Sequence, residues 1–228
     1  QPVNLIARSA TQALSAAEEI GYPVLVRPSF VLGGRRMAVA FGRDDLEEFL
    51  QREGEISRAN PVQVDQFLED AFEYDLDALC DGEHVHIAGI MQHIEAAGVH
   101  SGDSACVFPA YKSDELLLEE MVKTTAMLAR EIGVVGFMNV QYAAKDGMLY
   151  VLEVNPRASR TVPFLSKASG VDLVRAAVEI WCGRSLADQG LVDFQVRGQN
   201  RSSGGHGLDD LHRAAALGRV SEGFGQGG

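Results

Sequence analysis

The sequence predicts an α+β fold, and three observations carry that expectation. Apolar runs occur in pairs joined by Asp81-Gly82 and Asp146-Gly147, the turn chemistry of antiparallel hairpins. Stretches with helical spacing alternate with these hairpins, a pattern that reads as α+β. The length, 228 residues, suits one sizeable domain or two small lobes, and no internal repeat is visible.

The elements follow in order. Residues 9–20 are Ala-rich with helical spacing, and Gly21 stops them. Pro23 opens a short strand, Val24-Leu25-Val26, that ends at Arg27-Pro28. A loop from Ser29 to Arg36 leads to a returning strand from Met37 to Phe41. Asp44 to Arg52 reads as a helix whose early acidic residues suit the helix dipole. Val62 to Phe67 reads as a strand. Tyr74 to Cys80 and His84 to Gln92 form the first hairpin. Ser113 to Ile132 is the longest helix, with Ser113 as the expected N-cap. Gly136 to Ala144 and Met148 to Val154 form the second hairpin, and Val171 to Trp181 is a helix closed by Gly183. Residues 197–228 are rich in Gly, Ser and Arg, a composition that buries little surface, with a short helix expected at 209–217.

Composition bounds the function. A hydrophobic content of 46% and a charged content of 23% are those of an ordinary globular protein. A net charge of -12 argues against nucleic acid as a partner, though local arginines can still hold phosphates. No apolar run reaches the ~18 residues that a membrane span requires. The first residues lack the basic start and apolar core of a signal peptide, and the missing initiator Met reads as a fragment or processed product. Cys80, Cys106 and Cys182 form no CxxC pair, so we expect a reducing, cytoplasmic setting with the cysteines as small buried groups.

The second hairpin carries the strongest chemistry. Glu153 and Asn155 share a strand face, and Gln141 lies on the partner strand. Oxygen donors of this kind suit Mg²⁺ or Mn²⁺, with ATP oxygens and water completing the shell. Arg157 and Arg160 follow at once and could neutralise a phosphate or a developing charge. Gly33 and Gly34 let backbone N–H groups approach phosphate oxygens, and Arg27 could pair with a phosphate, although a plain hairpin loop explains the same residues. Neither a Walker A loop nor a GxGxxG fingerprint is present. The turn-rich run Gln92 to Ser104 surrounds His100, a residue for ribose, phosphate, a carboxylate or proton transfer, or a satisfied structural histidine. His84 and His86 read as surface residues. The run Val62 to Glu69 could wall an adenine and bind ribose hydroxyls, or be a core strand with a polar end.

Three runs carry a resemblance: IGYPVLVRPSFVLGGRRM, DLDALCDGEHVHIAGIMQHIEAAGVHSGDSACVFPAY and GFMNVQYAAKDGMLYVLEVNPRASRTVPFLSKASGVDL. Over about residues 1–190 the protein resembles the large chain of carbamoyl-phosphate synthase, and specifically its second, carbamate-phosphorylating half. The form of the GVHSGDS loop and Gln141, where the first half typically has Glu, point to that half. The resemblance implies an ATP-grasp fold with ATP between two α+β lobes. By position it implies nucleotide contacts at Arg27, Gln66, Leu68, Glu73, Gly98, Val99, His100 and Ser101. Gln66 stands where His is common. Gly33 and Gly34 would belong to a loop over the phosphates. Metal ligands would be Gln141, Glu153 and Asn155, the first two also touching ATP, with Arg157 and Arg160 facing the transferred phosphate or the carbamate.

The implied reaction is phosphorylation of carbamate by ATP, within glutamine- or ammonia-dependent carbamoyl-phosphate synthesis for arginine and pyrimidines. The implied partners are carbamate and, through the full-length large chain, the glutamine amidotransferase small chain, with a homo-oligomer also expected. The sequence departs from the family by starting inside the ATP-grasp region and by its tail, residues 191–228, read as divergent and flexible. The alternatives are another ATP-grasp ligase or carboxylase, and a non-catalytic MgATP-binding fragment.

Overall fold

Alternating strands and amphipathic helices assemble two separate antiparallel sheets in the computed structural model, which describes residues 1–29, 37–53, 56–95, 104–111, 113–191 and the backbone of 194–195. The first unit comprises Gln1–Ala71. Its elements are β1 (Asn4–Ala7), α1 (Ala10–Ile20), β2 (Val24–Pro28), β3 (Ala38–Ala40), α2 (Arg43–Glu53) and β4 (Val62–Gln66). The strands order β1-β4-β2-β3, each pair antiparallel. Ser9 caps α1 by accepting the Gln12 N–H at 3.2 Å, and Gly21, at φ +89°, ends it as expected. The two helices bury Ala13, Ala17, Leu46 and Phe49 against Val24, Val26, Val62 and Val64. Each fully buried Val, Leu or Phe side chain there contributes about 1.5–3 kcal/mol. Four-residue β1, which lacks turn signals, was not expected from sequence.

The second unit begins at Phe72. It holds β5 (Phe72–Asp81), β6 (His84–His93), β7 (Cys106–Val107), α3 (Glu115–Ile132), β8 (Val135–Lys145), β9 (Met148–Asn155), α4 (Val162–Ser169), α5 (Leu173–Trp181) and β10 (Phe194–Gln195). The strands order β10-β6-β5-β8-β9, with β7 also paired to β6. Asp146 and Gly147 both take positive φ, 52° and 75°, the backbone a two-residue hairpin turn with matching twist requires. At the other hairpin the Asp81 carboxylate folds back to accept N–H donors from Glu83 (2.9 Å) and His84 (2.6 Å).

The two faces of this sheet differ because side chains alternate along a strand. One face buries Tyr74, Leu76, Ala78, Met138, Val140 and Tyr142 beneath Leu118, Met121 and Ala126 of α3. Buried Tyr142 keeps its hydroxyl satisfied, 2.7 Å from Thr125 Oγ1 and donating to the Met121 carbonyl at 3.2 Å. The opposite face is apolar only in part, where Leu79, Met91 and Phe137 pack with Leu165 of α4 and Leu173, Ala177 and Ile180 of α5. The rest of that face carries polar side chains.

Several expectations need correction. Asp114, not Ser113, caps α3 by accepting the Leu116 N–H at 3.1 Å, while the Ser113 hydroxyl donates to Tyr74 Oη. The helix expected over Val171 to Trp181 starts at Leu173 with Asp172 as its cap, after the separate helix α4. His86 is buried, and His84 lies 3.5 Å from the Asp81 carboxylate, so neither is a plain surface residue. Of the cysteines only Cys80 is buried; Cys106 is half-buried and Cys182 exposed. The tail helix expected at 209–217 lies outside the described residues. No helix among the described residues is long and apolar enough to cross a membrane.

Candidate active site

The polar part of the second sheet is built by register. Asp75 stands opposite Gln141, and Asp77 opposite Asn139, across β5 and β8. Gln141 in turn faces Glu153, and Asn139 faces Asn155, across β8 and β9. Directly opposed residues put their side chains on one face, so Glu73, Asp75, Asp77, Asn139, Gln141, Glu153 and Asn155 share it. The convergence expected of Gln141, Glu153 and Asn155 is therefore present in the backbone pairing. A register shift between Gln141 and Tyr142 lies beside the pair, a disturbance of the kind that re-aims side chains at functional sites.

The floor beneath these residues is an ordered polar network. Asn139, 3% exposed, donates from Nδ2 to Asp75 Oδ1 at 3.3 Å and to Asp77 Oδ1 at 3.2 Å. His93 Nε2 lies 2.8 Å from Asp75 Oδ2, and His93 Nδ1 is 3.4 Å from Glu73 Oε2, an ion-pair distance rather than a well-formed hydrogen bond. Burial alone would lower the His93 pKa, but Asp75 and Glu73 together outweigh it and push it up to about 9. His93 is thus an imidazolium at neutral pH. Burial raises the Asp77 carboxyl, against hydrogen bonds from Thr161, Ser159 and Asn139 that pull it down.

Asp75, His93 and Cys106 bring one ligand atom each within 4.8 Å of one another, a spacing a metal ion would accept. The protonation states oppose that use. A doubly protonated imidazole has no free lone pair, and burial followed by the charges of Asp75, Glu95 and Glu73 pushes the Cys106 thiol up to about 11. The oxygen set of Gln141, Glu153 and Asn155, above this floor, fits Mg²⁺ better in its chemistry.

Arg157 and Arg160 follow β9 on the exposed side of the turn into α4. Among the described residues neither forms an ion pair; Arg157 donates only to the neighbouring Ala158 carbonyl at 3.1 Å. In the first unit Arg27 donates through Nε to Asp65 Oδ2 at 3.1 Å, and Asp65 also accepts from Gln63 at 2.8 Å. That fixes Arg27 while its side chain stays 42% exposed. Gln66 is half-buried, Leu68 is buried, and Glu73 of the second unit is half-buried. Gly33, Gly34, Gly98, Val99, His100 and Ser101 lie outside the described residues.

Sequence reasoning missed Asp75, Asp77, His93, Asn139 and Thr161. The alternation Glu73, Asp75, Asp77 in β5 and Asn139, Gln141 in β8 was the available signal.

Comparison with known proteins identifies the family. Residues 2–189 match the family described as carbamoyl-phosphate synthase L chain, ATP binding domain. The protein is 53% identical over 193 residues to the carbamoyl phosphate synthase large chain of Archaeoglobus fulgidus, covering 85% of this sequence and 18% of that one. It is 51% identical over 191 residues to the large chain of Pasteurella multocida, covering 84% and 18%. It is also 52% identical over 185 residues to the C-terminal section of the large chain of Methanocaldococcus jannaschii, covering 81% and 30%. The protein therefore spans less than a third of the length of these relatives. Among solved structures, biotin carboxylase of Campylobacter jejuni superposes with a TM-score of 0.69 at 20% identity, over 85% of this sequence and 45% of that one. The biotin carboxylase domain of the 2-oxoglutarate carboxylase of Hydrogenobacter thermophilus, solved with MgADP, ADP and bicarbonate, gives 0.65 at 22%, over 85% and 45%. These likenesses show the expected α+β, ATP-grasp type of fold. By its matched residues and its identity to these relatives, the protein belongs to the carbamoyl-phosphate synthase large chain ATP-binding domain family.

Proposed function

We propose that this protein is the carbamate-phosphorylating ATP-binding region of a carbamoyl-phosphate synthase large chain. The observation that carries the reading is the pairing of Gln141 with Glu153, one step from Asn139 and Asn155, on a polar floor that ends in Arg157 and Arg160. A Gln at 141 and the likeness to the C-terminal section of a large chain support the second of the two halves. We assign Gln141, Glu153 and Asn155 to Mg²⁺ or Mn²⁺, and Gln141, Glu153 and Glu73 to the nucleotide. From the first unit we assign Arg27, Gln66 and Leu68 to the nucleotide. Gly33, Gly34, Gly98, Val99, His100 and Ser101 remain nucleotide contacts in this proposal.

The bound cation supplies charge neutralisation on the phosphate oxygens. The protein's own groups do the rest. Arg157 and Arg160 offer guanidinium donors to the phosphoryl group as its oxygens gain charge. Asp75, Glu73 and the His93 cation form an ionic floor in which one imidazolium answers two carboxylates. Carbamate oxygen attacks the γ-phosphorus in line, the bond to the β-phosphate oxygen breaks, and ADP leaves. Carbamate is the partner of this step, and a glutamine amidotransferase small chain is the proposed partner of the full-length large chain, upstream of it. The test is to supply an intact polypeptide carrying this sequence with ATP, Mg²⁺ and carbamate. Carbamoyl phosphate and ADP should form in equal amounts; ADP formed only with a different acid would point to another ligase of this fold.

A second reading, MgATP binding without turnover by this polypeptide alone, is favoured by its small share of its relatives' length. Calorimetric titration with MgATP, followed by an ADP assay on the same sample, separates the two.

A further inference from the structure

Thr161 occupies the N-cap position of α4, yet its side chain makes no capping bond there. Threonine at that position ordinarily accepts a backbone N–H of its own helix. Here the hydroxyl donates instead to Asp77 Oδ2 at 2.6 Å, across 84 residues of sequence. Ser159 joins the arrangement: its Oγ lies 2.7 Å from Thr161 Oγ1 and accepts the Thr161 N–H at 3.2 Å. Asp77 is 1% exposed, and its other oxygen accepts from Asn139, which also holds Asp75.

The turn held in this way is residues 156–161, which carries both Arg157 and Arg160. Its far end is set independently by close packing. Gly89, opposite Asp77 on β6, leaves space that Leu165 of α4 and Phe108 fill; a Cβ there would lie 2.7 Å and 2.6 Å from them. Its near end is the last residue of β9, whose carbonyl accepts the Arg157 N–H at 2.8 Å. The buried carboxylate is therefore the one polar tie, among the described residues, between the Thr161 end of the arginine turn and the sheet that bears Gln141 and Glu153.

We propose that Asp77, through Thr161 and Ser159, is a positioning residue that holds the Arg157–Arg160 turn in register with the metal- and phosphate-binding side chains of β8 and β9. The proposal rests on the functional reading above. It deepens that reading by naming a buried group, remote from the transferred phosphoryl, on which the arginines' placement depends. A cap spent on a distant carboxylate forgoes its local bond, and a buried carboxylate is costly unless fully bonded. Both features are accounted for if the precise placement of the turn is what they provide.

The test compares Thr161→Val, which keeps shape and removes the hydroxyl, with Thr161→Ser, which keeps the hydroxyl. Asp77→Asn is the partner variant. All are made in an intact polypeptide carrying this sequence. Thr161→Val should lower kcat by about 10- to 100-fold, the scale on which small misplacements act. KM for ATP should stay within about twofold, because ground-state binding is not what the turn supplies. Thr161→Ser should restore most of the rate. The Asp77→Asn, Thr161→Val double variant should lose little beyond either single change. Amide exchange at 157–161 should speed up in the Val variant and not in the Ser variant, a readout independent of any reaction. Wild-type kcat in Thr161→Val, or equal losses in the Val and Ser variants, overturns the proposal. So does an ATP-affinity loss that accounts for the whole rate loss, or unchanged exchange in the Val variant. If the wild type makes no carbamoyl phosphate, the functional reading falls. The tether is then judged by exchange in the same Val and Ser pair, which needs no substrate.

Discussion

Removing the imidazolium of His93 should make stability insensitive to a pH range in which the wild type is sensitive. His93 rises from 6.5 to about 9 on folding. At about 1.36 kcal/mol per pKa unit this corresponds to about 3 kcal/mol. The sign follows from a raised pKa. The folded state binds the proton more tightly than the unfolded state, so the stabilisation is complete below about pH 6.5 and is gone above about pH 9. Between those limits it should fall by up to about 1.4 kcal/mol per pH unit. The variant is His93→Gln, which leaves Asp75 and Glu73 without their cation. Urea unfolding of both proteins at half-unit steps from pH 6 to 10 gives the difference in unfolding free energy, in which other titrating groups largely cancel. The difference should shrink by about 3 kcal/mol across the series. A direct check is the imidazole C–H resonance of His93. A midpoint at or below 6.5, or a difference that does not change with pH, would refute the charge-paired floor.

Other changes test other parts of the molecule. Glu153→Ala, in an intact polypeptide carrying this sequence, should abolish Mg²⁺-dependent ADP formation; activity kept at the wild-type metal dependence would remove Glu153 from the site. Gly136→Ala should cost several kcal/mol by thermal unfolding, since φ is +107° and the new Cβ would sit 2.7 Å from Trp181 Nε1. Adding Trp181→Ala should recover only the steric part, leaving the backbone strain, and full recovery would show that the backbone conformation is unimportant. Thr125→Val should lower stability by about 1–2 kcal/mol, because the Tyr142 hydroxyl loses one of its two buried partners. An unchanged denaturation midpoint would count against that bond.

Local chemistry made much of this legible. Asp146-Gly147 announced the second hairpin because only residues tolerant of positive φ close such a turn, and Ser9 with Gly21 bracketed α1 for equally local reasons. Glu153 and Asn155 could be placed on one face by strand alternation, but the two-residue turn alone would set Gln141 opposite Leu152; the register shift beside Gln141 is what brings Glu153 opposite it. The network below them could not be read in the same way. Asn139 meets Asp75 across 64 residues and Thr161 meets Asp77 across 84, pairings set by strand order rather than by spacing. His93 is one more polar residue at a strand end until β5 lies beside it. Helix α4 is hidden for another reason: Val162-Pro163-Phe164 follows directly on Arg160-Thr161, with no local cap to separate the helix from the site loop before it.

The two-faced strand β5 has a consequence for how the polypeptide reaches its fold. Tyr74, Leu76 and Ala78 alternate with Glu73, Asp75 and Asp77 over six consecutive positions. Were the strand to pair one residue out of step, three carboxylates would turn into the hydrophobic layer under α3, and three core side chains would lie open to water. Such an arrangement is far too costly to persist. The same acidic row that floors the site thus acts earlier as a proofreading device. It rejects misaligned hairpins while the sheet assembles, before any nucleotide is bound.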